Sequence, residues 1–105
     1  MLLPALSGLL LPCLVASAAV RLGNQVLRDD NYSRLLGERV MVLASAASVF
    51  PDSLVNVADA LNQKDALGTL TLTGIMSTEH GFRGAGQAET GDPAVHMDEA
   101  TGKLV

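Results

Sequence analysis

The sequence predicts an α/β fold built on one parallel βαβ unit, which is preceded by an apolar N-terminal segment. Two apolar runs, residues 39–44 and 70–76, have the length of strands, and a helical pattern of apolar residues lies between them. Strand, helix and strand in that order are typical of a right-handed crossover connection between parallel strands. One such unit is only part of a complete sheet, so we expect the domain to be incomplete.

Residues 1–18 are predicted to lie outside the folded domain. No charged residue occurs before Arg21, and the segment is rich in Leu and Ala. It ends in Ala16-Ser17-Ala18, which is similar to the A-x-A cleavage site of a secretory signal peptide. About 20 helical residues also reach about 30 Å, so an uncleaved membrane anchor is the alternative. The protein is therefore expected to be secreted or periplasmic, or else membrane-anchored.

The composition argues against several classes of function. Eleven acidic and seven basic residues give a net charge of −4, and the basic residues are scattered along the chain. Nucleic-acid binding needs clustered basic residues, so no nucleic-acid partner is expected. The single cysteine, Cys13, lies in the N-terminal segment, which leaves residues 19–105 without a disulfide or a thiol nucleophile. Membrane contact is expected only through residues 1–18, if they are not cleaved.

The elements that lead into the first strand are expected to be short. A helix or turn, followed by a second short helix, is predicted between residues 21 and 37, with Gly37 as a C-cap. The first strand is predicted at Arg39–Ala44. Its apolar residues are continuous rather than alternating, which is typical of a strand buried on both faces of a parallel sheet.

The crossover helix is predicted to begin at Pro51-Asp52-Ser53, with Asp52 or Ser53 as its N-cap. Its apolar stripe has the i, i+3, i+4, i+7 spacing of Leu54, Val57, Ala58 and Leu61, and Gly68 follows its end. In the second strand, strict alternation would place Leu70, Leu72 and Met76 on one face and threonines on the other.

Beyond Ser77 the sequence shows neither a helical nor a strand period, and Asp98–Gly102 is interpreted as a turn. No closing element is expected before the last residue. Two strands and one or two helices bury too little apolar surface to offset an ordering cost of about 1.5 kcal/mol per residue. Residues 19–105 are therefore expected to be the first part of a larger domain, from a truncated gene model or a longer protein.

The densest group of reactive side chains is Glu79-His80-Gly81-Phe82-Arg83-Gly84. It directly follows the second predicted strand, and chemistry in α/β enzymes is usually placed on loops at the carboxyl ends of strands. No helical pattern follows the glycines, so the segment is not a dinucleotide-binding fingerprint.

This motif, together with Gln87-Ala88, Asp98 and Thr101-Gly102, resembles the N-terminal part of the exo-acting β-N-acetylmuramidases. These are peptidoglycan-recycling glycosidases, long classed as a domain of unknown function, and the resemblance covers about residues 22–105. It implies a secreted enzyme that releases N-acetylmuramic acid from peptidoglycan fragments. It also implies an incomplete Rossmann-like half-domain at residues 19–105, with peptidoglycan-derived saccharides as ligands and no cofactor.

Several positions depart from the pattern of that family. Ser45 and Ser48 stand where the family has asparagine and glycine, Thr78 replaces a proline, and Glu89 replaces a glycine. If the family's asparagine binds sugar, Ser45 retains little of that contact. A non-catalytic secreted α/β protein, which binds cell-wall sugars or has no activity, is therefore the alternative function.

Glycoside cleavage needs a proton donor and usually a second carboxylate about 5–9.5 Å away. Glu79 is the candidate donor, because partial burial at a strand tip would raise the pKa of its carboxyl group. The alternative is a carboxylate that caps a turn. His80 is expected to orient Glu79 or bind a sugar hydroxyl, or else to bond backbone carbonyls.

The other candidates are assigned to binding or to loop structure. Arg83 is expected to pair with the lactyl carboxylate of muramic acid, or alternatively with Glu89 or Asp92. Gln87 and Ser45 are candidate sugar-binding residues. The structural residues of the loop are the two glycines that allow a positive φ or a close ligand, and a phenylalanine expected to anchor it: Gly81, Gly84 and Phe82.

A metal site is not expected. Glu79, His80, His96 and Asp98 could in principle supply nitrogen and oxygen ligands to a metal. Side chains of adjacent residues diverge on an extended backbone, however, and the chain has no HExxH spacing.

Overall fold

The structure is a computed structural model that describes residues 19–84 and 95–105. Its elements are, in chain order, helix α1 (Gly23–Asp29), a 3₁₀ turn (Ser33–Leu35), strand β1 (Arg39–Ala44), helix α2 (Val57–Ala66) and strand β2 (Thr71–Ser77). Strands β1 and β2 pair in parallel. The chain therefore has a small α/β fold, which confirms the predicted order of strand, helix and parallel strand.

Some predictions fall outside the described residues. The assignment of residues 1–18 as a signal peptide or membrane anchor is one of them, as are the roles considered for Gln87, Glu89 and Asp92. Among the residues that the structure does describe, no helix is long and apolar enough to cross a membrane.

The segment before β1 forms the two short elements that were predicted. The N–H of Leu22 donates to the side-chain oxygen of Gln25, which caps the start of α1. Gly37 follows the 3₁₀ turn with φ +75°, the left-handed conformation that favours glycine. Its N–H donates to the carbonyl of Thr69 at 2.8 Å, which ties this turn to the chain entering β2.

Strand β1 has the predicted bounds, but only one of its faces is covered by described residues. Val40 and Val42 pack against side chains of the helices, whereas Met41 and Leu43 remain 55% and 65% exposed. Burial on both faces was therefore a wrong expectation. The cause is that α1, the 3₁₀ turn and α2 all contribute to the cluster on the same side of the sheet.

Strand β2 contains a bulge that breaks the expected alternation. Val40 pairs with Leu72 and Met41 pairs with Gly74, which leaves Thr73 as an extra residue. The Thr73 hydroxyl donates to the carbonyl of Val40 at 2.9 Å. Because one extra residue reverses the faces beyond it, Leu72 is buried and Met76 is exposed. The prediction that Leu72 and Met76 share a face was wrong for this reason.

Helix α2 begins at Val57, later than predicted. Asn56 is the N-cap, and its side-chain oxygen accepts from the N–H of Ala58 at 2.9 Å. Leu54 has φ +58°, which a helix does not allow. Asp52 and Ser53 therefore lie in a turn before the helix, and neither is its N-cap.

The core consists of two clusters joined through Val42. One lies under α1 and the 3₁₀ turn and is formed by Tyr32, Leu61, Leu70 and Leu72. The other lies near the carboxyl ends of the strands and is formed by Ala44, Ala58, Ile75 and Phe82. The second cluster places the loop after β2 against the sheet and α2.

Residues 95–105 pack against β2. Met97 and Leu104 form an antiparallel bridge, and the N–H of Ile75 donates to the carbonyl of Leu104 at 2.8 Å. Lys103 forms an ion pair with Asp65 of α2. As expected, no further helix or strand follows β2 within residues 95–105, although this segment docks on the sheet through an isolated bridge and single hydrogen bonds. The predicted turn at Asp98–Gly102 is confirmed, because the N–H of Gly102 donates to the carbonyl of Asp98.

Candidate functional site

Three segments meet at the carboxyl end of the parallel sheet. Ala44 pairs with Ser77, so the loops that leave β1 and β2 begin side by side. The start of α2 lies at the same edge, because the N–H of Val57 donates to the carbonyl of Ser48 at 2.8 Å. This edge is where the sequence placed its candidate site.

Asn56 connects all three segments. Its oxygen caps α2, while its side-chain nitrogen donates to the carbonyl of Ser45 at 3.0 Å and to the carbonyl of Phe82 at 3.4 Å. One amide thus uses both its donors and its acceptor to hold the site together. Asn56 was missed by sequence reasoning, although an asparagine directly before a helical stripe is a strong N-cap signal.

The second half of the loop after β2 is anchored in the core. Phe82 is only 2% exposed and packs with Ala44, Ala58 and Ile75. Its ring is an apolar anchor for the loop and is not available as a platform for a sugar.

Two glycines shape this loop. Gly81 has φ +74° and its N–H donates to the carbonyl of Thr78, while Gly84 has φ +71° and its N–H donates to the carbonyl of Gly81. A Cβ atom on Gly84 would lie 2.8 Å from the Cβ of Ala46, closer than two carbons can approach. Gly84 is thus required both for its conformation and for the approach of the two loops.

Arg83 lies between two carboxylates, and we call Arg83, Asp59 and Asp98 the Arg83 cluster. Arg83 Nε and one terminal nitrogen donate to Asp98, each at 2.9 Å. The two terminal nitrogens donate to Asp59 at 3.0 and 2.7 Å. The guanidinium carbon also lies 4.5 Å from the centre of the Phe82 ring. Both carboxylates are bound in the bidentate geometry that favours arginine.

Asp98 is the least exposed member of the Arg83 cluster, at 9%. It also accepts from the N–H of Thr101 at 2.9 Å and from the Thr101 hydroxyl at 2.8 Å. The hydrogen bonds from Arg83, helped by those from Thr101, hold the pKa of the Asp98 carboxyl well below its usual range, although burial acts in the opposite direction. The two carboxylates raise the already high pKa of Arg83 further.

Glu79 and His80 lie on the outer half of the loop. His80 Nε2 is 3.3 Å from a carboxylate oxygen of Glu79, and the two side chains are 51% and 74% exposed, respectively. The pairing places His80 where it can orient Glu79. The partial burial expected for a proton donor is not supplied by the described residues.

The hydroxyl groups of Ser45 and Ser48 accept hydrogen bonds from backbone N–H groups of the turn after β1. The N–H of Ser45 donates to the Ser48 hydroxyl at 3.0 Å, and the Ser45 hydroxyl accepts from the N–H of Ala47 at 3.3 Å. Both hydroxyls therefore stabilise the turn. The Ser45 hydroxyl already accepts one hydrogen bond, so only its remaining donor and acceptor sites could bind a saccharide.

Two open grooves flank the Arg83 cluster. One, of about 340 Å³, is lined by Ala46, Val49, Leu54, Val55, Asn56, Asp59, Phe82 and Arg83. The other, of about 460 Å³, is lined by Arg83, His96, Met97, Asp98, Glu99 and Ala100. Both volumes fall within the range of about 300–1,000 Å³ that small-molecule sites occupy.

A metal centre finds no support in the part of the chain that the structure describes. No three side chains of His, Cys, Asp or Glu come together there as a ligand group. Of the set considered from the sequence, Asp98 is engaged by Arg83 and Thr101, and Glu79 and His80 pair with each other.

Comparisons with known proteins assign no relative to this chain. No protein-family model matches it, and no curated protein and no solved structure is significantly similar to it. The resemblance to the exo-β-N-acetylmuramidases therefore stays a prediction from the motif, and the function has to be argued from the geometry of the site.

Proposed function

We propose that this chain carries the acid-bearing, Rossmann-like N-terminal part of a secreted exo-β-N-acetylmuramidase-like glycoside hydrolase. Its ligands would be peptidoglycan-derived saccharides, with N-acetylmuramic acid as the released sugar and residues 1–18 as the signal peptide. One observation carries the proposal: Glu79 and His80 form a pair at the carboxyl end of a parallel strand, on a loop whose following residues are anchored in the core.

In this proposal Glu79 protonates the oxygen of the departing sugar, and His80 holds the carboxyl group in position. A carboxylic acid keeps its proton near neutral pH only when its surroundings exclude water. Glu79 is 74% exposed, so the bound saccharide and further protein would have to cover it. We therefore expect residues 19–105 alone to be inactive.

The second carboxylate that glycosidases use has no strong candidate among the described residues. Asp59 and Asp98 are close to the loop, but their oxygens are engaged by Arg83. A base or nucleophile needs a free lone pair directed at water or the sugar. The proposal therefore places this group outside residues 19–84 and 95–105.

The second candidate function is a non-catalytic secreted protein that binds cell-wall sugar or has no activity. Two observations favour it: the high exposure of Glu79, and the engagement of Ser45 within its own turn at the position where the family has asparagine. A proton donor needs a carboxyl group shielded from water, and a sugar-binding residue needs a side chain that is free to bond the sugar.

The test is hydrolysis of a chromogenic β-glycoside of N-acetylmuramic acid by the protein that the complete reading frame encodes. We expect turnover by the wild type and a loss of at least about 100-fold in kcat for Glu79→Gln, because general acid catalysis contributes at least that much. Glu38→Gln is the matched control, since Glu38 is exposed and lies just before β1, at the opposite end of the sheet. It should retain wild-type turnover.

The remaining outcomes separate the two functions. Absence of turnover, together with N-acetylmuramic acid shifting the NMR signals of residues 78–84, would favour the non-catalytic alternative. If the wild type hydrolyses the substrate and Glu79→Gln lowers kcat by less than about 100-fold, Glu79 is removed from the mechanism. If the sugar is neither hydrolysed nor bound, the hydrolase and the sugar-binding protein are both wrong, and only the alternative without activity is left.

A further inference from the structure

We propose that Arg83 is a positioning residue: the Arg83 cluster sets the placement of Glu79 and His80, and Arg83 does not itself bind the saccharide. The catalytic part of this inference rests on the proposed function. The structural part, that the guanidinium of Arg83 acts together with the buried Phe82 to fix the geometry of the outer loop, stands on the contacts alone.

The first step is that the cluster joins three segments. Arg83 belongs to the loop after β2, Asp59 lies in the first turn of α2, and Asp98 begins the turn of the C-terminal segment. Each carboxylate receives two hydrogen bonds from the guanidinium. A lysine has a single compact charge and cannot hold two carboxylates in this way.

The second step is that the cluster is held rigidly. Asp98 is nearly buried and is fixed by two hydrogen bonds from Thr101. On the other side, the Phe82 ring is buried beneath the guanidinium. Arg83 therefore joins groups whose own positions are already determined by packing.

The third step follows from the length of the loop. Ser77 ends β2 and Phe82 is anchored in the core, so only residues 78–81 lie between two fixed points. The hydrogen bond from the N–H of Gly81 to the carbonyl of Thr78 closes this segment into a turn. A short segment with both ends fixed has few conformations, so the anchoring of residues 82 and 83 determines where Glu79 and His80 lie.

Electrostatics argue against a direct role for Arg83 in binding muramic acid. Two carboxylates surround one guanidinium, which gives the cluster a net negative charge when both carboxylates are ionised. A lactyl carboxylate would have to displace one of them and would then face repulsion from the other. This argues against one of the two roles considered for Arg83, pairing with the lactyl carboxylate. The other role was an ion pair within the chain, and the partners observed are Asp59 and Asp98.

The test measures solvent exchange of the Gly81 and Gly84 amides and the imidazole NMR signals of His80 in the full 105-residue chain. For Arg83→Lys we expect exchange at least about tenfold faster, because the opened cluster releases the turns, and His80 signals that approach those of an unstructured peptide. Neither measurement needs a saccharide or turnover, so it separates a failure of this inference from a failure of the proposed function.

The matched control is Arg28→Lys. Arg28 also pairs with an aspartate, Asp52, at 2.9 Å and also lies over an aromatic ring, that of Phe50, but it is far along the chain from the loop. It should leave both measurements unchanged. If Arg83→Lys does not fold, Asp59→Asn is the second test variant. It weakens the interaction of Arg83 with position 59 and keeps the ion pair of Arg83 with Asp98. It should accelerate exchange in the same direction.

Two results would overturn the inference. One is wild-type exchange and wild-type His80 signals in both Arg83→Lys and Asp59→Asn. The other is a selective loss of affinity of Arg83→Lys for N-acetylmuramic acid but not for N-acetylglucosamine, which lacks the lactyl carboxylate. In a complete protein that hydrolyses the glycoside, the positioning role predicts a lower kcat for Arg83→Lys with KM unchanged.

Discussion

Individual residues in the loop after β2 have roles that follow from their immediate neighbours. Phe82 and Arg83 are adjacent in sequence, yet one ring is buried in the core and the other side chain bridges two carboxylates at the surface. Among residues 19–84 and 95–105, Glu79 and His80, only a few positions earlier, pair with each other and are largely exposed. The motif is therefore divided into an exposed half that can carry chemistry and an anchored half that holds it.

Gly84 offers a direct test of how closely the two loops approach. Gly84→Ala should destabilise the protein by about 2 kcal/mol or more, because it adds a steric contact with Ala46 to the cost of a positive φ. Gly68→Ala is the control, since Gly68 also has a positive φ but an added Cβ meets no atom within 4 Å. It should cost about 1 kcal/mol. Urea unfolding measures both, and equal losses would show that the contact with Ala46 does not constrain the loop.

The elements around the site are arranged by a few side chains at their ends. The bulge at Thr73 reverses the faces of β2, and the cap at Asn56 determines where α2 begins. Neither the bulge nor the cap can be derived from the spacing of apolar residues in the sequence. Together they bring three segments to one edge of the sheet. These are the first turn of α2, the turn after β1 and the loop after β2.

The start of α2 can be tested by comparing two residues that compete for the cap. Asn56→Ala should lower the free energy of unfolding by about 1–2 kcal/mol, because it removes the cap and leaves the carbonyls of Ser45 and Phe82 without their donor. Ser53→Ala, at a position that the sequence favoured as the cap, should change it by less than about 0.5 kcal/mol. A larger loss for Ser53→Ala in thermal unfolding would contradict the assigned start of the helix.

Across the whole molecule, described residues cover the sheet on one face only. Apolar side chains remain exposed on the other face, where Met41, Leu43, Met76, Val95 and Leu104 border a groove of about 570 Å³. The C-terminal segment nevertheless contributes to the fold, because it borders β2 and supplies Asp98 to the Arg83 cluster.

The same cluster makes stability depend on pH. The pKa of Asp98 is depressed in the folded state, so the unfolded chain takes up its proton first, near the ordinary aspartate value of about 4. The stabilisation is therefore present above about pH 4 and is lost as the pH falls towards the folded-state pKa. Asp98→Asn should be less stable than the wild type at pH 7, and the difference should shrink at pH 3. Urea unfolding at both pH values measures this, and a constant difference would contradict it.

The order of elements was predictable from the chain alone, because apolar period and glycine position are local properties. The bounds of β1, the short helices before it, the parallel pairing and the turn at Asp98–Gly102 all follow from such signals. So does the meeting of the loops after β1 and β2, since parallel strands bring their carboxyl ends to one edge. The predicted start of α2 was wrong because Leu54 fits the helical spacing of apolar residues but lies in a turn before the helix, with a positive φ. The spacing of apolar residues in the sequence does not reveal that turn.

Long-range pairing, by contrast, could not be derived from local pattern. The partners of Arg83 are Asp59, 24 positions earlier, and Asp98, 15 positions later. The residues next to Arg83 in sequence do not indicate either pairing. The extra residue at Thr73 and the docking of Leu104 on β2 likewise depend on which backbones meet in space. A charge or an apolar side chain specifies what kind of partner it needs, but only the folded chain specifies which one it finds.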